Sequence, residues 1–196
     1  MFAMLAGRGF NARRGSTLDA PQNALPQAGL DDRAPQPDAG TDAPTPVRGP
    51  DISSLSPQER ADRLYNRVML LNSQGKSDSV LFFAPMALTA YQMLSPLNAD
   101  QRYDMGMIGE VAGAIPLAKA QADSILLRNP THLLGLMLAA RVTALEGNTT
   151  AARAFEKRLL AAEKPELAKK LAEYERHRDD ITSALAAARR DLGAAR

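Results

Sequence analysis

Two glycines set 34 residues apart, Gly113 and Gly147, restrict this chain more than any other feature. Small residues recur around them. One copy reads Gly106, Gly113, Ala118, Ala122 and Pro130, and the next reads Ala140, Gly147, Ala151 with Ala152, Phe155 and Pro165. A period of that length, with small residues where two helices touch and a proline after the second, predicts a stack of helical hairpins. Gly75 lies 38 residues before Gly113 and marks a third, more divergent copy.

Local signals divide the stack into helices. Ser56-Pro57-Gln58-Glu59 combines an N-cap hydroxyl, a proline suited to the first helical position and a glutamate that can close a capping box. Leu64, Val68 and Leu71 then recur at helical spacing up to Asn72, before the stop at Gly75. Ser77 to Leu94 reads as a second helix that Pro85 should kink or divide. After the turn Ser95-Pro96-Leu97-Asn98, the pattern predicts Ala99–Ala112 with Pro116–Arg128, Asp100 serving as N-cap. His132–Glu146 with Thr149–Glu163 follows, joined through Glu146-Gly147-Asn148.

These residues resemble the tetratricopeptide repeat family over about Pro57 to Lys164. Gly106 falls on the family's small residue of the first helix, and Gly113 and Gly147 on the turn between helices. Ala118 and Ala152 fall on the small residue where the helices pack, and Pro130 on the terminal proline. Phe155 comes one residue early. The family's tryptophan is replaced by Arg102 and Leu136, and its first-helix tyrosine by Gly109 and Thr143. The resemblance implies an all-α superhelix of about three hairpins whose first helices line a concave, partner-binding groove. Arg63, Arg67, Arg102, Met105, Gly109, Leu136, Ala140 and Thr143 are the groove residues it implies.

The segments outside the repeats read differently. Residues 165–196 carry Leu167, Leu171, Tyr174, Arg178, Ile181, Leu185, Ala188 and Leu192 in steps of four and three, the seam of one long helix. That helix either covers the last hairpin in a monomer, the role a repeat array requires of its end, or joins two chains. Residues 11–56 hold seven prolines and few large apolar side chains, the composition of a disordered linker. Residues 1–10, MFAMLAGRGF, are too short to span a bilayer and lack the leading charge of a signal peptide. Two readings stand for them: a loose N-terminus, or the end of a membrane anchor.

Charge and chemistry exclude more than they select. Residues 1–56 carry five Arg and six Asp, 57–150 eight charges of each sign, and 151–196 eleven basic against eight acidic groups. No basic stripe of the kind that tracks phosphates results, so nucleic acid is not an expected partner. The chain has no Cys and two His, which excludes disulfides and thiolate chemistry and disfavours a metal. Gln74-Gly75-Lys76-Ser77 lacks the earlier glycine and the strand of a phosphate loop, so Lys76 reads as a turn residue. The glycines 106, 109 and 113 have the wrong spacing for a dinucleotide fingerprint. Glu173, Glu175, His177, Asp179 and Asp180 read as a solvated face, and His132 as a capping or packing residue. The methionines read as core filler. No nucleophile stands with a base.

The expectation is therefore a non-catalytic interaction scaffold without metal or cofactor, binding a protein or peptide through its concave groove. The alternative is an accessory subunit of a membrane assembly tethered by residues 1–10. Location is accordingly cytoplasmic or membrane-tethered.

Overall fold

A computed structural model of the chain describes residues 54–193. The apolar N-terminus and most of the linker lie outside the described residues. Within them are eight helices and no strand: α1 (Pro57–Ser73), α2 (Ser77–Gln92), α3 (Ala99–Val111), α4 (Ile115–Arg128), α5 (Leu133–Leu145), α6 (Thr149–Leu167), α7 (Ala172–Arg176) and α8 (Arg178–Gly193). No helix among them is long and apolar enough to cross a membrane.

The first six helices form three hairpins, α1 with α2, α3 with α4 and α5 with α6. Each new first helix packs on both helices of the hairpin before it, so α3 lies on α1 and α2, and α5 on α3 and α4. Local chemistry fixes the ends. The Ser56 amide donates to Glu59 Oε2 at 2.8 Å and the Glu59 amide to Ser56 Oγ at 3.2 Å, a reciprocal capping box. Asn98 and Gln101 form a second one, so the cap of α3 is Asn98 rather than Asp100. Gly75, Gly113 and Gly147 turn the chain within the three hairpins at φ of 67°, 75° and 78°.

Close approach of the hairpins depends on residues without side chains. A Cβ on Gly106 would land on the side chain of Leu138, and one on Gly135 would lie 2.8 Å from Ile125 Cγ2. The core runs unbroken from Ala61 and Val68 through Tyr103, Ile108 and Ala118 to Leu134, Leu138 and Val142, then to Leu159, Ile181 and Leu185. The methionines divide: Met105, Met107 and Met137 are interior, whereas Met86 and Met93 are exposed.

Two helices run through their prolines. Pro85 lies inside α2 and Pro165 inside α6, which extends to Leu167 instead of ending at Glu163. In each case the proline and the residue four before it, Leu81 or Ala161, are exposed. Water can then meet the carbonyl that the proline leaves unbonded.

The C-terminal cover is in two pieces rather than one helix. Lys170 takes φ 51° and turns the chain after α6; α7 follows for five residues, and His177 separates it from α8. From the expected seam, Tyr174, Ile181, Leu185 and Ala188 are buried, while Leu167 and Arg178 are exposed. α8 packs on α6 and α5.

Candidate functional site

The expected groove residues do not form one open surface. Met105, Gly109, Leu136 and Thr143 are interior, and Ala140 is mostly buried, with 9% left exposed. Their small or apolar side chains are taken up by packing within and between hairpins; Gly109, for instance, faces its own hairpin, where a Cβ would lie 3.3 Å from Ala114 O and Ala118 N. Thr143 Oγ1 donates to its own helix at Ala139 O, 2.7 Å away. Arg102 is half-buried and donates to Gln121 Oε1 at 3.1 Å. Arg63 and Arg67 are exposed on the first hairpin, the Arg67 guanidinium 5.4 Å from the centre of the Phe83 ring. The remaining repeat positions serve packing and turns. Ala118 and Ala152 are buried, Phe155 sits under Arg158 at 5.2 Å, and the Pro130 carbonyl accepts from Arg158 Nη2 at 2.8 Å.

The polar centre of the molecule lies where α7 crosses the N-terminal parts of α1, α3 and α5. Arg176 donates from Nη2 to Asp104 Oδ2 at 2.7 Å and to Asp62 Oδ1 at 3.3 Å, and from Nη1 to Asp100 Oδ2. His177 Nε2 lies 2.9 Å from Asp100 Oδ1 and 3.4 Å from Asp104 Oδ1, while Nδ1 lies 3.4 Å from Asp180 Oδ2. Its ring packs edge-on against Tyr103, centroids 4.7 Å apart. Tyr91 donates its hydroxyl to Asp104 Oδ2 at 2.8 Å. This arrangement corrects the solvated-face reading of His177, which is 5% exposed.

Electrostatics follow from that geometry. Burial pushes the fully enclosed Asp104 carboxyl up to about 6, although Arg176, Tyr91 and His177 pull it down. Burial also opposes charge on His177, but hydrogen bonds to Asp100 and Asp180 and the field of Asp104 outweigh it and raise the imidazole to about 9. Asp100, partly desolvated, is nevertheless held below the usual range by His177 and Arg176. Four carboxyl groups, Asp62, Asp100, Asp104 and Asp180, thus face two cations that the protein itself supplies.

A second polar knot fastens the chain just upstream. Glu166, buried at the end of α6, accepts from Thr131 Oγ1 at 2.5 Å, Lys169 Nζ at 2.6 Å and Tyr174 OH at 2.8 Å. Burial opposes its charge, yet these donors hold the carboxyl down at about 2. Tyr174 OH also accepts the first amide of α5, Leu133 N, at 3.2 Å. His132 packs on the Tyr174 ring at 5.0 Å, and burial holds its imidazole below the usual range.

The ligand atoms of Asp100, Asp104 and His177 lie within 4.8 Å of one another, a spacing that could suit a metal ion. The Arg176 guanidinium enters the same group and donates to one oxygen of each carboxylate, while the buried Asp104 Oδ1 has no hydrogen-bond donor. The cluster is better suited to holding α7 in place than to holding a divalent cation. Sequence reasoning passed over Arg176, Asp62 and Asp104. The one available hint was Asp104 itself, a charge between Tyr103 and Met105 in a stretch otherwise made for the interior.

α7 and α8 leave part of the first-helix side open. A cleft of about 440 Å³ lies between α5, α6 and α8, with Met137, Ala140, Ala144, Leu159, Ala184 and Ala188 among its walls. Arg141, Glu156, Asp180, Arg190 and Asp191 ring it with charges of both signs.

Fold and site together define an all-α stack of helical hairpins closed by its own C-terminal segment. No protein-family model matches the chain, and no curated protein matches it. Among solved structures it is similar to the type III secretion translocator chaperone SycD of Yersinia enterocolitica, in a crystal structure titled an alternative dimer. The two are 15% identical with a TM-score of 0.43, over 68% of this chain and 95% of that one.

Proposed function

We propose that this protein is a tetratricopeptide-repeat-like scaffold, not a catalyst, that binds a protein segment on the side lined by its first helices. The observation that supports the reading best is the 440 Å³ cleft between α5, α6 and α8. Its alanine-rich walls leave room for one or two inserted side chains, and its mixed-charge rim can orient a polar backbone. Of the groove residues the family resemblance implies, Ala140 lines this cleft. The densest group of ionisable side chains is engaged in ion pairs that hold α7 to the array, which supports binding over acid–base chemistry.

Photo-crosslinking tests the reading in the full chain, acting as a monomer. A photoreactive residue at Ala144, on the cleft wall, should capture a discrete protein partner, and one at the exposed Leu127 of α4 should not. Filling the cleft with Ala184→Leu should abolish capture without lowering the melting temperature. Equal capture from both positions, or capture untouched by the filled cleft, would count against it.

A further inference from the structure

The outer face of the first hairpin is built unlike the rest of the surface. Between Asp78 and Asp100 the chain contains no ionised side chain. α1 and α2, with the residue that caps α2, expose Leu70 (49%), Leu81 (58%), Phe82 (67%), Met86 (41%) and Met93 (72%). Other hairpins set their first helix against the hairpin before them; among the described residues, α1 and α2 have none. Between them runs a shallow cleft of about 180 Å³, walled by Pro57, Arg60 and Leu64 on one side and Met86, Ala90 and Met93 on the other.

Cations border this apolar floor. Arg60, Arg63 and Arg67 recur along α1 at steps of three and four. Among the described residues none of the three pairs with a carboxylate. We propose that this face docks an acidic amphipathic helix of a partner protein, its apolar side chains in the cleft and its Asp or Glu residues along the arginines. Charge complementarity selects the acidic partner. The stack shows the form it takes: elsewhere in the array a pair of helices accepts a third helix laid upon it. A concave cleft between two helices also fits an inserted side chain better than the flat surface of a bilayer. This face is separate from the cleft beside α8, so the inference does not depend on the reading of that site.

The test uses a displayed library of helical peptides selected on the full chain, then measured by fluorescence anisotropy. A family of enriched peptides should be net acidic, carry apolar residues at i, i+3 and i+4, and bind at least tenfold more weakly to R60E/R63E/R67E. Circular dichroism melts check that the variant folds; R60Q/R63Q/R67Q replaces it if it does not, with a smaller but same-signed loss. Absence of any enriched family that loses binding to these variants overturns the proposal. So do two other results, each assigning the face to a different occupant. One is a wild-type dimer in light scattering that the variants convert to monomer. The other is sedimentation with phosphatidylglycerol vesicles that the variants abolish.

Discussion

Arg176 Nη2 donates to Asp104 Oδ2 at 2.7 Å, across 72 residues of sequence and with the carboxylate wholly withdrawn from solvent. The pair joins the five-residue α7 to α3, and through Asp62 to α1, so it ties the end of the array to its beginning. Breaking one side of a buried pair is costly because the other charge stays behind.

Arg176→Ala should therefore destabilise the fold by ~2–3 kcal/mol at pH 7.5, less than for a fully buried partner because the guanidinium is one-third exposed. The loss should shrink at pH 5.5, where Asp104, already raised to about 6, can take up a proton. Urea unfolding at both pH values checks this. An equal loss at the two would mean that packing, not charge, dominates.

His177 gives the clasp a pH dependence of definite sign. Its folded pKa of about 9 stands above the ordinary 6.5, so its stabilisation is complete below pH 6.5 and fades as pH rises through 9. A difference of that size corresponds to up to ~3 kcal/mol. Asp100, held below the usual range, and Asp104, at about 6, lose their protons before that window opens, so the decline belongs to the imidazole. Unfolding free energy should fall between pH 7 and 9.5 in the wild type, and His177→Gln should flatten the curve.

Gly106 and Gly113 should fail for different reasons when substituted. Gly106→Ala places a methyl on Leu138, an overpacking cost of ~1–3 kcal/mol. Leu138→Ala alone leaves a cavity worth ~2–5 kcal/mol, and the double variant should lose less than the sum. A Cβ on Gly113 would meet nothing within 4 Å, but the residue stands at φ 75°, so Gly113→Val should cost ~1–2 kcal/mol in backbone strain with no compensating partner. Thermal melts of the four variants decide; additive losses at Gly106 and Leu138 would deny the contact.

Leu185 is 4% exposed and belongs to the main core. Burial of such a side chain is worth ~1.5–3 kcal/mol, and a lysine there must also lose its charge or its place. Leu185→Lys should therefore lower the melting temperature and promote aggregation. Removal of residues 171–196 should do so more severely, since Tyr174, Ile181, Leu185 and Ala188 leave together. Light scattering with thermal melts distinguishes this from a dimer seam, whose disruption would yield a stable monomer.

The helices and their pairing into hairpins were written in the sequence, because the signals that set them act within a few residues. Ser56 and Glu59 cap α1 from three positions apart, and the apolar periodicity of α1 shows which of its faces must be buried. The tertiary structure alone decided how the chain closes on itself. Whether Asp104 is a surface charge or a buried one depends on where Arg176 arrives, 72 residues later. The break at His177, the burial of Glu166 and the passage of α6 through Pro165 depend likewise on partners in other helices, or on which side of the helix meets water. Spacing rules register the period of a helix, but a charge far along the chain leaves no mark on that period, and so the clasp could not be read before the fold had brought its members together.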